Sequence, residues 1–427
     1  MRKIGSLFAS ALAFCFLTLP LSARAEGLTF LECYRAALKR SETVGIQDQA
    51  FVQANELEKQ ARAILVPQIS ANATFLRQQP TDPSVSSSQD TIRLTGTQTL
   101  FHGFREFALI HQRSAQSDQQ KALLKDAARS LFYDVADAYY GRMALEADER
   151  NYGNELEVNR RRLKDLEGFR RVGRSRTSEV LSQRANIASL EAALEAVRGQ
   201  LSVQREVLAF LDGLPPETPL KDSEAVPSSA EKLDAYLAGI TSRADLEAGK
   251  AAVRSAESAV SASRSYHWPA ADLNGNYYLQ RPTGILSNTK WDVSLLVSFS
   301  IFQGGAIQSQ VRQSVSLEEQ ATLQLSRAQR LADEEVRRFF DLVISNQVQL
   351  TKLDEFADLS RQNYEAQQRD YSHGLVTNLE VLQATSSWQV ALRTRERQID
   401  TLKGDYLKLQ AAAGKRPETD IDSSATN

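Results

Sequence analysis

The chain has 427 residues, with 51 Lys and Arg against 53 Asp and Glu, a formal net charge of −2 and only 2 cysteines. That balance offers no basic surface for nucleic acid, and the cysteine count excludes a disulfide-stapled scaffold. The length leaves room for very long elements or an internal duplication.

Arg2 and Lys3 precede an apolar run from Leu7 to Leu19, and Ala23-Arg24-Ala25 places small residues at cleavage positions. This is the pattern of a secretory signal over residues 1–25. The run is short for a membrane span, and Phe14 is too large to precede a lipidated Cys15. The mature chain is expected to start at Glu26. Losing Arg2, Lys3 and Arg24 leaves 51 − 3 = 48 basic groups and a net charge of 48 − 53 = −5. Cys33 is then the one cysteine, which excludes an intramolecular disulfide. Among Leu31, Tyr34 and Leu38 it reads as a small packed side chain.

A first unit spans 26–213. Thr29-Phe30-Leu31-Glu32 is a capping box that starts a helix. Ile69, Ala71, Ala73 and Phe75 form one face of a strand, and Ile92 and Leu94 alternate with Thr91, Arg93 and Thr95 in the next. These predict a hairpin at about 67–101. From Phe104 to Val172 the composition favours one long helix, with Gly141, Gly153 and Gly168 as candidate bends. A turn near Gly173 leads to a further helix. Residues 214–241, containing Pro215, Pro216, Pro219 and Pro227, form a linker.

A second unit spans 242–414. Leu273, Gly275, Tyr277 and Leu279 alternate with polar neighbours, as do Trp291, Val293, Leu295, Val297, Phe299 and Ile301. They predict a hairpin at about 269–302. Ala306 to His373 contains neither Pro nor Gly over 373 − 306 + 1 = 68 residues, so it predicts a helix about 100 Å long. A turn near Gly374 and another helix follow, and the polar tail at 415–427 is expected to be disordered.

The second unit repeats the first. Leu100-Phe101-His102-Gly103 returns as Ile301-Phe302-Gln303-Gly304, an offset of 301 − 100 = 201. Gly173 with Glu179-Val180-Leu181 returns as Gly374 with Glu380-Val381-Leu382. Pro67 aligns with Pro269, one residue out of step. Whatever one half builds, the other half builds again beside it.

Four strands are too few to close a barrel with a useful lumen, and free hairpins leave unpaired edges. A soluble sheet with one buried face would fit the alternation. The export signal and the ~100 Å helices favour a membrane barrel pooled from several chains, because a bilayer tolerates no open sheet edge.

At this point the chain resembles the TolC family of outer-membrane channel-tunnels. The resemblance lies in Leu28 to Glu32, in the strand exits at Leu100–Gly103 and Ile301–Gly304, and above all in the run from Tyr371 to Ala384. It covers nearly the whole mature chain. It implies a mainly α fold with membrane β: a homotrimer whose 3 × 4 = 12 strands form one barrel in the outer membrane of a Gram-negative bacterium. The helices would continue as a periplasmic α-barrel. It further implies docking to a periplasmic adaptor protein and an inner-membrane ABC or proton-driven pump, with no catalysis and no cofactor.

The same resemblance assigns roles to residues. Glu380 falls where the family narrows the inner end of the tunnel. Gln383 stands at a second, usually acidic, position. Thr377 to Glu380 also reads as a capping box, a purely structural role. Tyr371 and Glu179 match positions that tie the helical hairpins together when closed, with plain packing as the alternative for Tyr371. A family arginine is replaced by Val376, and Arg174 and Arg176 are candidates to stand in for it. Gly173 and Gly374, with Leu375 and Val376, form tips suited to adaptor docking, or serve only as helix C-caps. Trp291, Val293, Leu295, Val297 and Phe299 form the expected lipid-facing strand.

His102, His111, His267 and His373 lack metal-ligand spacing, and no phosphate loop or catalytic triad is present. Arg160-Arg161-Arg162 reads as a solvated helix face. The main rival reading is a periplasmic coiled-coil structural or adaptor protein without a channel. It leaves the paired hairpins unexplained. The cargo, whether protein, drug or metal, is not written in the chain, although the missing lipidation signal leans toward secretion.

Overall fold

The computed structural model describes residues 27–81, 86–282 and 287–415. The expected signal at 1–25, the tail after Lys415 and the centres of both hairpin loops lie outside the described residues.

Eight α-helices and four strands follow in chain order: α1 Phe30–Arg40, α2 Glu42–Ala63, β1 Gln68–Arg77, β2 Ser88–His102, α3 Arg105–Arg171, α4 Thr177–Asp212, α5 Leu233–Leu237, α6 Ala244–Arg264, β3 Ala270–Gln280, β4 Trp291–Ser298, α7 Ala306–Ser372 and α8 Asn378–Ala412. The fold is mostly helical, as expected from the sequence. The duplication is visible element by element. α3 and α7 each hold 67 residues and start 306 − 105 = 201 apart. α2 and α6 start 244 − 42 = 202 apart, so the one-residue slip seen at the prolines lies before the hairpins' exits. At 1.5 Å per residue each long helix spans about 100 Å. Gly141, Gly153 and Gly168 do not interrupt α3, because an interior glycine weakens a helix without removing a hydrogen bond. Among the described residues no helix is long and apolar enough to cross a membrane.

The two hairpins are not separate. β1, β2, β3 and β4 form one antiparallel sheet in that order, and β2 of the first unit pairs with β3 of the second. The register sorts side chains by face. Ala71, Leu94, Tyr277 and Trp291 form one transverse row, and Ile69, Gly96, Gly275 and Val293 the next. Behind them runs a polar row, Ser70, Thr95, Asn276 and Asp292. Thr95 Oγ1 donates to Asn276 Oδ1 at 2.9 Å, and Asn276 Nδ2 donates to Asp292 Oδ1 at 2.9 Å. β2, with 15 residues, carries register shifts at Ile92/Arg93 and Thr99/Phe101, and the second brings Phe101 opposite Ala271. β4 ends at Ser298, so Phe299, expected in the lipid-facing strand, follows the strand rather than belonging to it. Among the described residues β1 and β4 have no strand paired to their outer edges.

Both strand exits turn through left-handed backbone, Gly103 and Phe104 in one and Gly304 and Gly305 in the other. A Cβ at Gly103 would lie 2.7 Å from the Ser265 carbonyl oxygen, so glycine is needed there for space as well as for φ. Below the sheet the helices pack around apolar clusters, of which two are large. Phe30, Tyr34, Phe132, Val135 and Tyr139 form one, and Tyr236, Leu246, Val336, Phe339 and Leu402 the other. Phe30 meets Phe132 edge-on at 5.0 Å between ring centroids, a favoured aromatic geometry. An ion network joins the halves at this level. Glu335 of α7 lies 2.7 Å from Arg243 and 3.3 Å from Arg129 of α3.

A candidate gate at the helical tips

The far ends of the long helices carry the residues singled out by sequence. In the first turn the Arg174 N–H donates to the Phe169 carbonyl at 2.8 Å. In the second the Leu375 N–H donates to the Asp370 carbonyl at 3.0 Å. Gly173 has φ 74° and Gly374 φ 76°. These are matching six-to-one C-terminal closures, in which the left-handed glycine reverses the chain. The next helix then starts after three residues. Leu375 and Val172 are exposed there, and the Arg174 guanidinium lies 5.6 Å from the Phe169 ring centroid.

Both helix starts use a glutamate as a cap. Glu179 Oε2 accepts from Ser175 Oγ at 2.6 Å and from the Arg176 N–H at 3.2 Å. Glu380 Oε2 accepts from the Thr377 N–H at 2.6 Å and from Thr377 Oγ1 at 2.8 Å. The Thr377 backbone and hydroxyl hydrogen bonds hold the Glu380 carboxyl below its ordinary range. Glu380 and Gln383 are both exposed, on the same face of α8. The capping role read from the sequence is therefore present, and it leaves the side chain on an open face.

Tyr371 and Glu179 do not meet within the chain. Glu179 is held by Ser175 and Arg176, whereas the Tyr371 ring lies under the Arg162 guanidinium at 4.0 Å. Arg162 Nε donates to Asn378 Oδ1 at 3.0 Å. Arg162 of α3 thus joins the last turn of α7 to the first turn of α8. Arg160 and Arg161 are exposed, as the sequence reading of a solvated face expects, and Arg162 alone of the three turns inward.

Arg162 is the lowest step of a polar seam between α3 and α8. Above it Arg393 pairs with buried Glu155, and Arg397 pairs with Asp148. Asn151 Nδ2 donates to Glu396 at 2.6 Å. Burial raises the Glu155 carboxyl in spite of Arg393 beside it. Gln183 of α4, fully buried, donates to Asn159 Oδ1 at 2.8 Å. A cavity of about 260 Å³ opens among these elements, lined by Arg162, Gln183, Asn378 and Thr385. Sequence reasoning missed this seam, yet a signal was there. Asp148, Glu155 and Arg162 recur every seven residues, which places them on one face of a helix.

At the opposite end Trp291, Val293, Leu295 and Val297 are all exposed on the apolar face of β4. Among the described residues no cluster of His, Cys, Asp and Glu is suited to a metal ion.

A duplicated chain whose four-stranded sheet sits on ~100 Å helices with paired tips has the fold of an outer-membrane channel-tunnel. The model of the family described as outer membrane efflux protein matches residues 33–214 and 239–415, and the chain belongs to that family. This places it with outer-membrane channels and not with enzymes. It is similar to the outer membrane protein VceC of Vibrio cholerae, at 19% identity and TM-score 0.79, over 90% of this chain and 96% of that one. The CmeC outer membrane channel of Campylobacter jejuni is similar at 15% identity and TM-score 0.79, over 99% and 96%. The open state of the MtrE outer membrane channel of Neisseria gonorrhoeae is similar at 18% identity and TM-score 0.77, over 90% and 88%. At these identities the likeness is one of fold. No curated protein sequence matches the chain significantly.

Proposed function

We propose that this chain forms a homotrimeric exit duct, which passively conducts cargo from a pump and adaptor across the periplasm and the outer membrane. The observation that carries this reading is the single four-stranded sheet, whose outer edges at β1 and β4 have no strand paired to them among the described residues. A bilayer requires those edges to be paired, and β4 of one copy against β1 of the next closes a twelve-stranded barrel with three copies. The apolar face with Trp291, Val293, Leu295 and Val297 then meets lipid. The polar row through Thr95, Asn276 and Asp292 lines the lumen. Exposed Leu323, Leu331, Val348 and Phe356 along α7 give neighbouring copies an apolar surface to cover.

The tips form the periplasmic end. Glu380 and Gln383 face the constriction, and Glu179 and Tyr371 belong to its closed state. Gly173, Arg174, Arg176, Gly374, Leu375 and Val376 form the adaptor contact. The pump is an ABC or proton-driven transporter of the inner membrane, and the system serves efflux or type I secretion.

Membranes from cells expressing the full chain test the channel reading. An oligomer about three times the monomer mass is expected before boiling and the monomer after it. Cysteines placed one in β1 and one in β4 (Asn72→Cys with Ser294→Cys, then neighbouring pairs) should crosslink between copies. A protein that stays monomeric and leaves the membrane in salt washes overturns the proposal.

A further inference from the structure

The two junctions where the sheet feeds the long helices differ in chemistry. Across the duplication His102 corresponds to Gln303, Arg105 to Ala306, Glu106 to Ile307 and Asp272 to Ser70. Four chargeable groups converge at the first junction, and none of their counterparts ionises. Nothing in the architecture common to both halves calls for them.

His102 is the last residue of β2. Its Nε2 lies 3.0 Å from Asp272 Oδ2 on β3, and its Nδ1 lies 2.9 Å from Glu106 Oε1 in the first turn of α3. The same Nδ1 lies 2.7 Å from Arg105 Nη2. The histidine side chain is 14% exposed and that of Glu106 8%. The second oxygen of Asp272 accepts from Thr99 Oγ1 at 3.1 Å. Arg105 Nε also lies 3.8 Å from Glu106 Oε1. The turn below contributes the Tyr266 ring, 5.3 Å from the Arg105 guanidinium. β4 contributes Leu296, the register partner of Asp272. The end of α2 contributes Gln60 and Ala63, which share a cavity of about 550 Å³ with Asp272 on the polar face of the sheet.

Nδ1 cannot serve both of its neighbours at once. A neutral imidazole with its proton on Nε2 donates to Asp272 and offers the Nδ1 lone pair to the Arg105 N–H. An imidazolium carries a proton on each nitrogen and donates to both carboxylates. Arg105 then faces an N–H and must turn away, and the Tyr266 ring gives its guanidinium a resting place. A metal ion does not explain the arrangement, because both ring nitrogens sit at hydrogen-bond distance from their carboxylates.

We propose that His102 is a proton-operated clasp between the sheet and the first long helix. A proton taken from water at Nδ1 ties Asp272 of β3 to Glu106 of α3. Its return to water hands Nδ1 to Arg105, so that the buried Glu106 is released and the helix start is held only through the longer Arg105 side chain. The device acts at one junction per chain, and it links the stiffness of the joint between barrel and tunnel to the acidity around it.

Hydrogen exchange of the full-length protein in detergent, at about pH 5.5 and about pH 8 and corrected for intrinsic rates, tests this. In wild type the segment 100–110 should be protected more at the lower pH by on the order of tenfold, the worth of one charge-assisted hydrogen bond. The matching segment 301–311 should not change. His102→Gln installs the residue found at the second junction and should abolish the difference. Glu106→Gln keeps the histidine and its bond to Asp272, and it should abolish the difference too. No pH-dependent protection in wild type, or a difference retained in both variants, overturns the proposal.

Discussion

Arg162 lies on the face of the Tyr371 ring, 4.0 Å from its centroid, and this contact joins the first long helix to the end of the second. The tie is made by the ring and not by the hydroxyl. Tyr371→Phe is therefore expected to keep the contact, with single-channel conductance in planar bilayers close to wild type. Arg162→Ala removes the cation and the Asn378 hydrogen bond together, and it should raise conductance and the frequency of openings. Raised conductance in Tyr371→Phe with none in Arg162→Ala would show that the hydroxyl carries the tie after all.

Glu380 combines a cap with an exposed position. Its carboxyl is held below the ordinary range by Thr377, so the sign follows from linkage. The contribution is present above the unfolded-state value and is lost as pH falls through the folded one. Acidification below the usual carboxylate range should loosen the start of α8. Glu380→Gln should show that looser start at neutral pH, read as faster hydrogen exchange over 377–384. In the proposed trimer three such carboxylates would meet at the constriction, so the same variant should also lose cation preference.

Much of the layout was legible because its signals are covalent or periodic. Proline-free and glycine-free runs marked α7, and period-two alternation marked β3 and β4. The offset between Gly173 and Gly374 marked the tips. The polar seam was not read. Arg162, Glu155 and Asp148 are charged residues on a long helix, and such residues are usually solvated. Only the packing of α8 against α3 turns them inward. The Tyr371–Glu179 tie was expected by resemblance, but the cap chemistry of Ser175 and Arg176 claims Glu179 locally. A single sequence does not show which of two nearby partners a carboxylate takes.

Asp400 of α8 is buried, and the nearby Lys403 and Arg150 offset that burial only in part. It lines a cavity of about 430 Å³ with Tyr140, Gly404 and Lys408. Burial first, then the nearby Asp222, pushes its carboxyl up to about 7. Between the ordinary carboxylate range and about pH 7 the folded chain holds a proton that the unfolded chain has lost. Stability from this group therefore falls as pH rises through that window and levels off above it. Asp400→Asn should raise stability at pH 8 by on the order of 3 kcal/mol and change little at pH 4. Thermal melting of the detergent-solubilised protein across that range checks it. An unchanged pH profile in the variant would remove Asp400 as its cause.

Gly168 and Gly173 stand five residues apart on the first hairpin and should respond to alanine in opposite directions. Neither has a neighbouring atom within 4 Å of where a Cβ would be, so packing within the chain does not decide the outcome. Gly168 lies in the last turns of α3 with helical backbone, and alanine there removes conformational freedom from the unfolded chain. The expected effect is a stabilisation of about 0.5–1 kcal/mol. Gly173 has φ 74°, where a Cβ costs about 1–2 kcal/mol. Gly374, at φ 76°, should behave as Gly173 does. Melting of the three single variants gives the stability order. Because the tips are also the proposed adaptor contact, Gly173→Ala and Gly374→Ala should weaken capture by a cognate adaptor, whereas Gly168→Ala should not. A loss of capture in Gly168→Ala as well would place the docking surface further up the hairpin than the turn itself.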